Sequence, residues 1–219
     1  SIPKSLPQDT YERLLARLDG KGLRCVVDAP RALLANVLPY HPFLLKPNNH
    51  ELGALVGRVL TGDEEITAAA RALQTQGARN VLVSMAGDGA LLVDETGAVH
   101  RIGCPKGKVV NSVGAGDSMV AGFVAGYLQS RSYAQALRLG TACGSATAFS
   151  LGLATKEKID ELLAQLCRDA RNKEGKLMSI TELFTAQSIP LHAALQPQEA
   201  LLISLVELQS PQRNLTDKV

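Results

Sequence analysis

The chain has 219 residues, 46% of them apolar, enough to bury the core of one large domain or of one domain with an appendage. Its formal charge of +2 is made of interspersed signs, so the balance gives no reason to invoke nucleic acid. No apolar run approaches the roughly eighteen residues of a membrane-spanning helix, and the most suspicious one, residues 200–206, is far too short.

The chain opens without Met, in a Pro-rich stretch over residues 1–7 that reads as the inside of a longer protein. Ser5 and Gln8 have capping-box spacing, with Pro7 in the first turn. Tyr11, Leu14, Leu15 and Leu18 follow at i, i+3, i+4 and i+7, which predicts an amphipathic helix stopped by Gly20 and Gly22. Residues 23–28 predict a buried strand, 31–38 a short helix halted at Pro39, and 43–45 a short strand leading into Lys46-Pro-Asn-Asn-His-Glu51. A helix with Leu52, Leu55 and Val56 on one face comes next, then another over 64–76 ended by Gly77. Residues 80–85 predict a buried strand, Ala86-Gly-Asp-Gly89 a turn, and 90–94 with 98–102 a hairpin. Further on, Ser132 and Gln135 repeat the capping-box spacing, and Thr155 caps a helix carrying Ile159, Leu162, Leu163, Leu166 and Cys167. The four cysteines, Cys25, Cys104, Cys143 and Cys167, have no Cys-x-x-Cys spacing and read as buried, reduced thiols. Strands alternating with helices predict an α/β fold, a mostly parallel sheet with helices on both faces and ligands beyond the carboxyl ends of the strands.

The most informative stretch is Lys108-Val-Val-Asn-Ser-Val-Gly-Ala-Gly-Asp-Ser-Met-Val-Ala-Gly122. Val109 and Val110 read as a strand or its end. From Asp117 a helix is predicted, with Met119, Val120, Phe123, Val124, Tyr127 and Leu128 on one face. Gly122 and Gly126 fall on the other side at about 1 kcal/mol each relative to Ala, which predicts another backbone passing close by. A Gly-x-Gly turn entering a helix leaves N–H groups free to hold an anion, with the helix dipole behind them. Asp117 adds a carboxylate able to accept a proton there. Together these suit transfer of a phosphoryl group to a hydroxyl, the plain alternative being a tight turn with an Asp cap. Asn48 and Glu51, three apart at a helix start, suit Mg²⁺ through its waters, or equally an N-cap and its third-position partner.

Residues 111–122 resemble the signature of the ribokinase-like sugar kinases, and their ending is most similar to the 1-phosphofructokinase branch. The resemblance implies a ribokinase-like fold, ATP with Mg²⁺ as cofactors, and phosphorylation of D-fructose 1-phosphate to fructose 1,6-bisphosphate in the cytoplasm. It makes Gly114, Ala115 and Gly116 the anion hole and Asp117 the general base. Lys46-Pro-Asn48-x-x-Glu51 is similar to the family's Asn-x-x-Glu motif, which implies that Asn48 and Glu51 organise the Mg²⁺–ATP complex with Lys46 near the phosphates. Residues 84–90 resemble the nucleotide-side loop, so Ser84, Gly87 and Gly89 are expected near ATP, as is Ser112. An Asp-Gly hairpin turn is the alternative for that loop. Residues 143–147 resemble the helix against which adenine packs, which places Gly144 toward the nucleotide. Gly140 and Gly144 would serve helix packing equally well.

This resemblance covers about residues 1–167, the C-terminal portion of a sugar kinase. The family's first strands, its lid and most of its sugar contacts have no counterpart, so an exposed sheet edge and weak or no activity are expected of this chain alone. Full-length relatives are expected to be homodimers through the lid, with a small sugar phosphate as partner and neither nucleic acid nor membrane. Residues 168–177 read as a charged linker, and 178–219 resemble the opening of a fructose-type phosphotransferase-system IIA domain. The phosphorylated histidine of that family has no match in His192, and a C-terminal helical extension is the alternative. A tagatose-6-phosphate or 6-phosphofructokinase of the same fold also stays open, as does a catalytically dead nucleotide-binding or assembly module. There is no Walker P-loop, no metal spacing among the four histidines and no Gly-x-Ser-x-Gly elbow.

Overall fold

The computed structural model describes residues 7, 9–29 and 31–174. In chain order these form α1 (Thr10–Leu18), β1 (Val26–Val27), α2 (Arg31–Val37), β2 (Leu44–Leu45), α3 (Asn49–Val56), α4 (Gly62–Thr75), β3 (Asn80–Ser84), β4 (Ala90–Val93), β5 (Val99–Ile102), α5 (Ala115–Ser130), α6 (Tyr133–Ala148) and α7 (Lys156–Glu174). The five strands lie side by side in sequence order. β1, β2 and β3 run parallel because helices connect them, whereas β3–β4 and β4–β5 are antiparallel hairpins closed by short turns.

Side-chain alternation along the strands builds two hydrophobic layers. Val27, Leu45, Val81, Val83, Leu91 and Val93 pack with α1 to α4 on one face. Val26, Leu44, Leu82, Ala90 and Leu92 pack with Met119, Val120, Phe123 and Val124 of α5 and with α6 on the other. Leu162 and Leu166 of α7 then cover Ala142 and Ala146 of α6. At the foot of the sheet Asn80, wholly buried, donates to the Phe43 carbonyl at 2.7 Å and accepts from the Glu95 amide at 2.9 Å.

The predicted glycine-mediated approach is present. A Cβ on Gly126 would stand 2.9 Å from Ala136 Cα, and one on Gly122 would stand 2.7 Å from Cys143 Sγ and 2.9 Å from the Leu139 carbonyl oxygen. α5 and α6 therefore touch along their backbones, and α6 answers with Gly140 and Gly144 at the same crossing.

Several expectations are corrected. Val109 and Val110 are exposed loop and not strand, because the Val110 and Asn111 amides donate to the Ala148 carbonyl at the end of α6 and pair with no strand. The strands predicted at 23–28 and 43–45 shorten to two residues each. Residues 168–174 belong to α7 and are not linker, since no Gly or Pro interrupts the helix before Gly175. Ser132 caps α6 by accepting from the Gln135 amide at 3.4 Å, one half of the predicted capping box. All four cysteines are thiols outside any disulfide, but only partly buried. The Ser5–Gln8 box and the region 178–219 lie outside the described residues.

Candidate active site

The site is assembled at the carboxyl ends of the three parallel strands. Asp28 follows β1 by one residue, Lys46 follows β2 by one, and Ser84 ends β3. Asn48 pairs with Ser84 in an isolated parallel bridge, and the Ser84 amide donates to the Pro47 carbonyl at 3.2 Å, which ties the Lys46–Asn48 segment to the next strand.

Opposite these ends the chain enters α5 through Gly114, whose φ of +79° is a left-handed backbone that a side chain disfavours. The Ala115 amide donates to Ser112 and the Ser118 amide to Gly114. Among the described residues, the amides of Gly116 and Asp117 have no partner. Two free N–H groups at the start of a 16-residue helix are donors of the kind that can hold an anion. Lys46 adds a positive charge beside them. Its side chain is only 7% exposed, yet a Cβ on Gly116 would lie 3.3 Å from the Lys46 Nζ. A charged ammonium is thus buried directly against the glycine turn.

Asp28 was missed by reasoning from the sequence. Its Oδ2 pairs with Lys46 Nζ at 3.3 Å, and it lies 3.9 Å from the position of a Gly116 Cβ. Burial pushes the Asp28 carboxyl above its usual range; Lys46 opposes that shift, while Asp117 and Glu51 add to it. The Asp28 carboxyl therefore feels Lys46, Asp117 and Glu51 together. The available signal was positional: an acidic residue directly after an apolar strand, level with Lys46 after the next one.

Asn48 and Glu51 form a reciprocal capping box at α3: the Glu51 amide donates to Asn48 Oδ1 and the Asn48 amide to Glu51 Oε2, both at 2.8 Å. The structural role weighed for this pair is real, and it uses one lone pair of each side chain. The remaining acceptor capacity, set beside Asp28 and Asp117, suits a hard cation. Among the described residues no three acidic, His or Cys groups form a metal cage. The donor set thus fits Mg²⁺ held by one or two carboxylates plus waters and phosphates, rather than a metal enclosed by protein.

Gly87 and Gly89 sit on the β3–β4 loop. Ala86 there has a left-handed φ of +46°, and Gly89, at φ +91°, allows no Cβ because the Ile102 carbonyl and the Cys104 amide pass beside it. The loop is closed by the Met85 amide donating to Gly89 at 2.8 Å, so the hairpin-turn reading describes its shape whatever it binds. Ser112 is exposed beside the turn. Gly144 meets the helix-packing alternative. It is buried, and a Cβ there would meet the Ala115 carbonyl at 3.0 Å and Met119 Cβ at 3.1 Å, so its free side is filled by the start of α5.

A part-buried hydroxyl pair was likewise not foreseen: Thr147 Oγ1 donates to Ser118 Oγ at 2.8 Å and accepts from the Ala154 amide at 3.3 Å, fastening the first turn of α5 to the loop after α6. Asn111 Nδ2 donates to the Leu151 carbonyl at 3.2 Å from the other side. These links hold the exposed side chains of Val113, Leu151 and Leu153 as an apolar rim next to the turn.

Comparison with known families matches residues 1–160 to the pfkB family of carbohydrate kinases. The chain belongs to the pfkB carbohydrate kinase family. It is 48% identical over 166 residues to a 1-phosphofructokinase of Bacillus subtilis, covering 76% of this chain and 54% of that one. It is 38% identical over 167 residues to a D-tagatose-1-phosphate kinase of Bacillus licheniformis, covering 76% and 55%. Among solved structures, phosphofructokinase-2 from Escherichia coli in complex with substrates and products superposes with a TM-score of 0.71 at 32% identity, over 76% of this chain and 55% of that one. Arabidopsis thaliana ribokinase complexed with ribose and ATP superposes with a TM-score of 0.61 at 23% identity, over 73% and 54%, which establishes the ribokinase-like fold. The chain spans about half the length of these relatives. No helix among the described residues is long and apolar enough to cross a membrane.

Proposed function

We propose that this pfkB-family chain carries the phosphoryl-transfer half of an ATP-dependent kinase acting on D-fructose 1-phosphate and yielding fructose 1,6-bisphosphate, in the cytoplasm. The observation that carries the reading is the pair of free amides at Gly116 and Asp117 with the buried Lys46 ammonium against them. In this reading Mg²⁺–ATP, when bound, supplies the phosphoryl group and part of the charge neutralisation. Asp117 would take the proton from the sugar hydroxyl as that oxygen displaces ADP from the transferred phosphoryl group. The two amides and Lys46 hold the negative charge that develops on the transferred group. Glu51 and Asn48 orient the cation through its waters, and Ser84, Gly87, Gly89 and Ser112 approach the nucleotide, with the apolar rim suited to its base.

Ketohexose 1-phosphates are favoured as the substrate class by the two curated relatives, and D-tagatose 1-phosphate is the nearest competitor. Isothermal titration of the chain with Mg²⁺–ATP, with and without fructose 1-phosphate, tests the nucleotide half directly. Co-expression with the N-terminal half of the B. subtilis relative tests the activity. In that reconstituted enzyme Asp117→Asn should lower kcat by at least a hundredfold and leave ATP affinity nearly unchanged, general-base catalysis being worth about 10²–10⁴. An unaltered kcat would reject Asp117 as the base, and faster turnover of tagatose 1-phosphate than of fructose 1-phosphate would reassign the substrate.

A further inference from the structure

A charged lysine that is 7% exposed has been removed from nearly all its water, and such a group persists when it is paired. Lys46 has one partner among the described residues, Asp28 at 3.3 Å, although an ammonium carries three N–H donors. The flexible four-carbon stem of lysine does not by itself decide where those donors stand. The ion pair lies flat against the glycine turn: the position of a Gly116 Cβ is 3.3 Å from Nζ and 3.9 Å from Asp28 Oδ2. Asp28 itself stands on a strand end that is hydrogen-bonded to that of Lys46, in the register Val27 to Leu45. Its placement is therefore set by the sheet and not by a loop.

We propose that Asp28 is a positioning residue of this site, which holds the Lys46 ammonium at the turn so that its remaining N–H donors meet an anion bound on the Gly116 and Asp117 amides. The proposal rests on the reading of that turn as a phosphate site. Asp28 has no direct bond to the anion. It acts by sparing Lys46 the search among rotamers that its flexible stem would otherwise make.

The test is a double-mutant cycle read by calorimetric titration with ADP, without Mg²⁺, on the whole chain. Lys46→Met and Asp28→Asn are each expected to weaken ADP on the order of tenfold, as for loss of one charge-assisted hydrogen bond. The Asp28→Asn/Lys46→Met chain should be no weaker than Lys46→Met alone, because Asp28 acts only through Lys46. An Asp28→Asn chain that binds ADP as tightly as the wild type, or more tightly, would overturn the proposal, as would losses that simply add. Asp28→Glu keeps the charge that the buried lysine needs, so the fold survives, but it moves the ammonium. It should lose part of the affinity, and full affinity would count against positioning. The lysine ammonium NMR signal that disappears in Lys46→Met provides the second readout: it should shift or broaden in Asp28→Asn, and an unchanged signal would overturn the proposal. If the wild-type chain takes no ADP, the nucleotide reading of the turn has failed, and this signal decides on its own whether Asp28 holds Lys46.

Discussion

Replacing Gly140 by Ala tests the packing on which the anion turn stands. Gly140 is buried on α6, where a Cβ would lie 2.8 Å from the Met119 carbonyl oxygen, 3.1 Å from the Phe123 amide nitrogen and 3.2 Å from Phe123 Cβ. The first two are backbone atoms of α5 and cannot rotate away. Ordinary contact is restored only if the helices part by roughly half an ångström, which loosens the packing around the fully buried Phe123. Two effects compete. Ala is a better helix residue than Gly by about 1 kcal/mol, whereas overpacking of a close-fitted core costs about 1–3 kcal/mol and separation of the helices adds lost dispersion contact. The second should win by about 2 kcal/mol, or roughly 4–8 °C in Tm for a domain of this size. Urea unfolding followed by circular dichroism measures it, with Gly87→Ala as the control, since nothing lies within 4 Å of a Cβ there. Because α5 begins at the anion turn, the same displacement should also weaken nucleotide binding. A Gly140→Ala chain as stable as the wild type would refute the argument that backbone contact holds α5 in place.

Thr141 gives the opposite sign: it is 1% exposed and its hydroxyl has no hydrogen-bond partner among the described residues, so Thr141→Val should stabilise the chain by about 1 kcal/mol in the same assay, and a loss would reveal an unseen partner. Asp94 carries a pH prediction. Burial raises its carboxyl, but the bonds from Thr96, His100 and Ala98 outweigh that and hold it below the usual range. A depressed carboxylate stabilises the fold above its unfolded value, near pH 4, and loses that contribution as the pH falls through the folded value. The deficit of Asp94→Asn relative to wild type should therefore be largest at neutral pH and shrink below about pH 4; a deficit that stays constant with pH would exclude the linkage. At α3, Asn48→Ala should cost about 1 kcal/mol through loss of the cap, and Asn48→Ser only a few tenths. If Asn48→Ser nevertheless raises the Mg²⁺ concentration needed by the reconstituted enzyme, the amide serves the cation as well as the cap, and an unchanged requirement would leave it the cap alone.

Much of this protein was legible before any coordinates. Hydrophobic period placed α1, α3, α5 and α7, Gly77 marked the end of α4, and the hairpin of β4 and β5 followed from two apolar runs and the turn between them. Gly122 and Gly126, costly in an isolated helix, announced the close crossing with α6 that is observed. The Gly114–Asp117 pattern signalled a turn with free amides because those properties are local, set by backbone conformation and the helix start. The local rule failed at Val109 and Val110, whose β-branched side chains suggest a strand while the Val110 and Asn111 amides are claimed by the end of α6. At Gly144 the sequence left packing and ligand contact equally open, and only the tertiary structure shows the approach of Ala115 and Met119. Asp28 is the clearest case. Nothing within a few residues distinguishes it from any acidic residue after a strand, and Lys46 is eighteen positions away. Only parallel pairing of β1 with β2, and the laying of α5 across both, brings a carboxylate, an ammonium and a glycine turn within 4 Å. Local sequence determined which backbone could receive an anion; the meeting of charges around it depends on long-range pairing, which no sequence period encodes.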